Sequence, residues 1–336
     1  AVLGPKLEGH PEALLVFRLI DVAAVAIGFA ALLGLGLAAR LSRAEFYAFA
    51  VPSACIPVLV PLAGSVNNDD LAFVGGALAL LGAWQLLANG RAAWLALALA
   101  GVIVAAFAKL TGLLLAATMV GGVIAYVIWR KRLSWLWAGA AMIAFAVAAA
   151  PYLIYAVHYG SPTPETSAQI ALITDGARAA GWSSLPRKTF PEYLFYFVGA
   201  FVADWMLPAL GPRSSLNCAM LIIPVAAIGC GFAGTAYALR RLLRGKETVL
   251  DIIVVTGAIA IAVTFAIHVD FSYGRHLATG WLMDAYPRYY LPLTAIMPLA
   301  GLSLYRALKE PHWRHVLLAF LIAGPVVFRI FGAPLG

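Results

Sequence analysis

The sequence predicts an all-α integral membrane fold of about ten transmembrane helices, and three observations predict it. Hydrophobic residues make up 63% of the 336-residue chain and charged residues only 11%, against roughly 25% charged in an ordinary soluble domain. Apolar stretches long enough to cross a hydrocarbon core of roughly 30 Å as helices recur from one end of the chain to the other. These stretches are continuous and rich in Ala, Leu, Val and Gly, whereas a transmembrane β-barrel needs short segments of alternating polarity. A single soluble core cannot absorb that much apolar surface, so lipid is the solvent.

Breaks in the apolar runs place the spans at 12–39, 45–64, 70–88, 92–108, 110–129, 134–157, 216–239, 247–268, 289–306 and 313–333. The first run is too long and too poorly flanked for a signal peptide. Because the chain begins with Ala1 rather than Met, further sequence upstream is expected. The stretch 193–210 is interrupted by Asp204, Pro208 and Gly211, so it reads as an interfacial or re-entrant helix rather than a span. Glycine spacing such as that in 227–235 is ordinary for packed membrane helices. No internal repeat stands out, which counts against a transporter built from two related halves. The chain 1–336 therefore reads as one polytopic domain, with 158–215 forming a non-cytoplasmic loop and interfacial segment.

The distribution of Lys and Arg orients these spans. Arg40 and Arg43, then Arg91, then Arg130, Lys131 and Arg132, then Arg240, Arg241, Arg244 and Lys246, then Arg306, Lys309 and Arg314 all fall in alternate loops. Those loops are cytoplasmic, and ten spans then leave both ends outside. The other side receives Asn67-Asn68-Asp69-Asp70, the turn at Lys109, and the loops 158–192 and 269–288. The formal net charge of +8 needs no nucleic-acid partner, since short basic clusters between apolar runs account for it. Cys55, Cys218 and Cys230 show no CxxC or Cys/His spacing, so neither a disulfide framework nor a metal site is indicated.

Chemistry-bearing residues collect on the outer side. Asp69 and Asp70 stand together where a span begins; an aspartate there can cap a helix, but two amides and two carboxylates in a row exceed what capping needs. Lys109 interrupts the apolar stretch 92–129, either as a snorkelling side chain or as a partner for an anionic headgroup such as phosphate. A third cluster runs through His268, Asp270, Tyr273, Arg275, His276, Asp284, Tyr286, Arg288, Tyr289 and Tyr290. Within it Arg288 is the residue suited to a phosphate, because a guanidinium offers bidentate donors and stacks on aromatics. His158 lies at the outer end of another span. No GxSxG, phosphate loop or His/Cys constellation is present.

The strings Val66-Asn67-Asn68-Asp69-Asp70, Ala108-Lys109-Leu110-Thr111-Gly112 and Pro287-Arg288-Tyr289-Tyr290-Leu291-Pro292 resemble the polytopic superfamily C glycosyltransferases, of the protein mannosyltransferase and aminoarabinose transferase kind. The likeness covers roughly residues 10–306 in order. It implies transfer of a sugar from a polyprenyl-phosphate donor to a glycan, lipid or protein acceptor at the periplasmic face of a bacterial inner membrane. Lys109, Arg288 and Tyr289 would then hold the donor phosphate, with Asn68, His158, Arg275, His276 and Asp284 around the substrate. Such enzymes carry their main acid in the first outer loop, which would lie upstream of Ala1; Glu8, His10 and Pro11 would be the remnant of that loop, and Arg18-Leu19-Ile20 resembles the opening of a later family helix. Asp69 and Asp70 are the candidates within the chain, contacting acceptor or a divalent metal, although no metal site is read from the sequence itself. The rival expectation is a transporter or flippase of a lipid-linked or amphiphilic anion.

Overall fold

The structure is a computed structural model and describes residues 11–56, 59–63, 65–130, 134–206, 222–282 and 284–331. Every regular element among them is helical: α1 (Pro11–Ala38), α2 (Arg43–Ala54), α3 (Leu59–Ala63), α4 (Asp69–Asn89), α5 (Ala92–Ala108), α6 (Leu110–Trp129), α7 (Trp135–Tyr159), α8 (Ser167–Ala179), α9 (Phe190–Met206), α10 (Ile222–Leu243), α11 (Val249–Thr279), α12 (Ile296–Ala307) and α13 (Pro311–Phe331). Two 3₁₀ turns, Trp182–Ser184 and Pro287–Leu293, complete the order. Among the described residues 7 helices, namely α1, α4, α6, α7, α10, α11 and α13, are long and apolar enough to cross a membrane. The chain is an all-α membrane protein.

Two expected spans take a different form, each for a local reason, and a third forms with the expected bounds but is short. The run 45–64 is split into α2 and α3, with Pro52 inside α2 and Cys55 capping it. Pro52, Pro57 and Pro61 remove backbone donors and disfavour the helical conformation of the residues before them. The run 92–108 is a helix of 17 residues, about 26 Å long. The run 289–306 opens as the Pro287–Leu293 3₁₀ turn, with Pro287 at its start and Pro292 inside, before the 12-residue α12 begins.

The segments expected as loops at 158–192 and 269–288 contain helix. Nothing in 269–279 breaks a helix, so α11 runs 31 residues to Thr279 and stops at Gly280, whose φ of 83° only glycine adopts readily. His268, Asp270, Tyr273, Arg275 and His276 therefore stand on a helix rather than in a loop. Within 158–192 the Thr166–Gln169 capping box starts α8. The stretch beginning at 193 belongs to α9, which reaches Met206; the breaks expected at Pro208 and Gly211 lie outside the described residues, as do Glu8, His10, Lys131, Arg132 and Cys218.

Helix α4 is the hub, packing on α1, α5, α6, α11 and the second 3₁₀ turn. In its apolar window 67% of residues are buried, against 11% for α7 and 17% for α10. Those two form the rim, where Met142, Ile143, Val157 and Phe232 are exposed to what a membrane supplies as lipid. Gly75 and Gly101 let α4 and α5 approach until any side chain on either would strike the other's backbone. At one end of the bundle, basic residues are tied between elements: Arg306 to Glu45 at 2.9 Å, Arg241 to Asp251 at 3.0 Å, and Arg130 to Glu247. The polar residues of interest gather at the other end.

Candidate functional site

The site is built on the first turn of α4. The Asn67 side-chain oxygen accepts from the Asp69 backbone N–H at 2.7 Å and starts the helix, while the Asn67 amide donates to Ser65 and to the Leu62 carbonyl. The Asn68 amide donates to the Ala108 carbonyl at 2.8 Å and ties this end of α4 to the end of α5. One extended residue, Lys109 (φ −164°, ψ 147°), separates α5 from α6. That break turns its side chain toward α4, where Nζ lies 2.8 Å from Asp69 Oδ1 and 3.7 Å from the centroid of the Tyr289 ring.

The second cation comes from the Pro287–Leu293 turn. Gly76 of α4 faces the backbone of Pro292 so closely that any side chain would collide with it. This contact seats the turn against the outer half of α4 and sets Arg288 Nε 3.6 Å from Asp69 Oδ2. That distance is too long for a hydrogen bond, and Nε has no hydrogen-bond partner. The Arg288 guanidinium lies 5.1 Å from the Tyr286 ring centroid and 5.9 Å from that of Tyr289. Asp69, Lys109, Arg288 and Tyr289, singled out from separate stretches of sequence, thus meet in one place.

The charges are unequal in number and in access. Two cations share one carboxylate, and the side chains of Lys109 and Arg288 are 20% and 40% exposed while that of Asp69 is 5% exposed. Burial pushes the Lys109 ammonium below the usual lysine range; Asp69 opposes that shift and Arg288 adds to it. Burial pushes the Tyr289 hydroxyl up to about 12, so it stays a neutral phenol. An entering anion would meet cationic donors and aromatic faces, with the resident carboxylate beneath them. Asp70 is 0% exposed, and neither of its carboxylate oxygens has a hydrogen-bond partner.

A second constellation lies beside the first. Arg275 reaches Asp284 Oδ1 at 2.8 Å and also pairs with Glu165, while the Trp281 indole N–H donates to the same Asp284 oxygen at 3.1 Å. His276 Nε2 accepts from the Lys188 backbone N–H at 3.0 Å. Arg275 and His276 therefore fasten the 158–192 segment to α11, while Asp284 holds the Arg275 guanidinium. Burial holds the Asp284 carboxyl above the usual carboxylate range, with Arg275 pulling against it. His268 bonds the Asp284 carbonyl at 2.8 Å and the Tyr290 hydroxyl at 3.2 Å, and its ring lies 5.2 Å from that of Tyr289, which joins the two constellations. His158 is exposed at the end of α7 beside Tyr159 and makes no contact with either constellation among the described residues.

Sequence reasoning passed over Asp21, Glu165 and Trp281. Asp21 is 6% exposed on α1 and accepts from the Asn67 backbone N–H at 3.3 Å. Its signal was a carboxylate inside an apolar run. Glu165 and Trp281 gave none, because only the folding back of 158–192 brings them to Arg275. Among the described residues no three His, Cys, Asp or Glu side chains converge as metal ligands. A divalent ion would have to be held by one or two carboxylates together with a substrate phosphate, as Mg²⁺ commonly is. Comparison with family models, with curated proteins and with solved structures finds no match to the chain.

Proposed function

We propose that the chain is a membrane glycosyltransferase that moves a sugar from a polyprenyl-phosphate donor to an acceptor at the periplasmic face of a bacterial inner membrane. The observation that carries the reading is the convergence of Lys109 and Arg288, from two separate elements, on the single carboxylate of Asp69. One positive charge is left over, and both cations are open to the outside. In this reading they grip the donor phosphate, with Tyr289 packed against them. Displacement at the anomeric carbon breaks the sugar–phosphate bond and leaves charge on that phosphate, which fixed cations stabilise more in the transition state than in the ground state. Asp69 is committed to the cations and Asp70 is enclosed, so the acceptor's proton goes to a group outside this cluster.

The reading takes the ten-crossing topology with Lys109 and Arg288 outside. Helix α5 supports it despite its length, because it runs alongside α4 and is tied to the start of α4 through Asn68. The test is transfer of radiolabelled sugar from a panel of polyprenyl-phosphate donors in membranes expressing the full-length protein. Transfer lost in Lys109→Ala and Arg288→Ala supports the assignment. Transfer unchanged in these and in Asp69→Asn would overturn it, and movement of the lipid-linked sugar between leaflets without transfer would establish a transporter instead.

A further inference from the structure

Asp70 raises a question that the anion site does not answer. Its carboxyl is wholly buried, its two oxygens have no hydrogen-bond partner, and its electrostatic neighbours are Asp21 first and then Asp69. Asp21 is itself 6% exposed. The charged and titratable groups on the elements packed against this end of α4 are Arg18 and Asp21 on α1, Lys109, Arg288 with Tyr289 and Tyr290, and His268 and Asp270 on α11. Arg18 and Asp270 are exposed, and both ring nitrogens of His268 are bonded. Lys109 and Arg288 both turn to Asp69. Among the described residues no cation forms an ion pair with Asp21 or Asp70.

Two enclosed carboxylates without a cation cannot both ionise cheaply, since the cost of an uncompensated charge rises as water is removed. With Asp69 they make three acids against two bases. An anion arriving at Lys109 and Arg288 draws those cations partly away from Asp69 and adds a further negative charge beside the pair. We infer that Asp70, enclosed and without a hydrogen-bond partner, takes up a proton from solvent when a phosphate diester occupies Lys109 and Arg288. The inference rests on the anion-site reading above. The proton adds to a carboxylate oxygen of Asp70, giving a neutral carboxyl, and no covalent bond of the ligand changes.

The experiment is calorimetric titration of the full chain in lipid nanodiscs with farnesyl methyl phosphate, a diester whose single charge does not titrate near neutrality. It is run in two buffers of different ionisation enthalpy. The expected result is a buffer-dependent heat equivalent to about one proton taken up per diester, with affinity falling by up to about tenfold per pH unit over the range where that proton is taken up. Asp70→Asn should bind with no buffer dependence, and Lys109→Ala should bind about ten- to a hundredfold more weakly. Wild-type binding that is independent of buffer and flat with pH overturns the proton inference and leaves the anion site standing. Binding that requires Mg²⁺ and takes up no proton also overturns it, because a metal then neutralises the pair. Absence of any Lys109-dependent binding overturns both. Should Asp70→Asn fail to fold, the pH slope of the wild-type chain decides alone.

Discussion

Asp69 competes with any anion that approaches Lys109 and Arg288, because both cations already lean on it. Removing its charge should therefore tighten anion binding while destabilising the fold, since two partly exposed cations lose their shared counter-charge. Asp69→Asn is expected to bind farnesyl methyl phosphate more strongly and to melt at a lower temperature. Lys109→Ala removes a charge-assisted hydrogen bond worth roughly 1.5–3 kcal/mol, so affinity for the same probe should fall about ten- to a hundredfold; equal affinity would mean that the ammonium serves only Asp69. The second constellation makes the opposite forecast. Arg275→Ala should leave diester affinity close to wild type but free the segment around Glu165, which limited proteolysis of the 158–192 region would reveal as faster cleavage. The sequence exposed Asp69, Lys109, Arg288 and Tyr289 because polar groups are conspicuous in apolar runs. It exposed Arg275, His276 and Asp284 for the same reason, yet whether a conspicuous charge is free or already paired depends on contacts such as Arg275 to Glu165, 110 residues away, which no local pattern carries.

At the scale of elements, the site depends on backbone approach more than on side-chain packing. Helix α4 and the Pro287–Leu293 turn meet at Gly76 and Pro292 without an intervening side chain. Gly76→Leu should force them apart, cost roughly 1–3 kcal/mol through overpacking, and carry Arg288 away from Asp69. The expected outcome is a lower melting temperature together with weaker diester binding; Gly139→Leu on the rim helix α7, where nothing lies near the glycine, is the control that should change neither. A different element shows how a side-chain ladder was legible in principle. Tyr193, Phe197 and Phe201 recur every four residues along α9 and pack, mostly edge to face, on Phe265, His268, Tyr273 and His276 of α11. That spacing marks one helical face, whereas their partners could not be read while 269–279 passed for a loop. Helix ends were the weak point throughout. Apolarity says where lipid can be, but Gly280 decides where α11 stops, and Pro287 and Pro292 set the 3₁₀ turn that precedes α12.

For the whole molecule, the uneven burial of the helices marks which of them are placed to face lipid. The end holding Arg130, Arg241 and Arg306 is knitted by carboxylates between elements, and the proposed topology, which follows the positive-inside rule, takes it as cytoplasmic. The far end holds Asp69, Lys109, Arg288 and the folded 158–192 segment. Since α5, at 17 residues, is shorter than α4 and α6 on either side of it in the chain, the orientation of the whole bundle turns on whether α4, α5 and α6 each cross. Single cysteines at Asn89, Thr163 and Arg244, all exposed positions, test this in a chain whose Cys55, Cys218 and Cys230 are replaced by Ala. A membrane-impermeant maleimide applied to intact spheroplasts should label Thr163→Cys at once, and Asn89→Cys and Arg244→Cys only after lysis. If Asn89→Cys reacts in intact spheroplasts while Arg244→Cys does not, α4 fails to cross. Lys109 would then lie on or within the membrane's other half, and a periplasmic donor phosphate could not reach it.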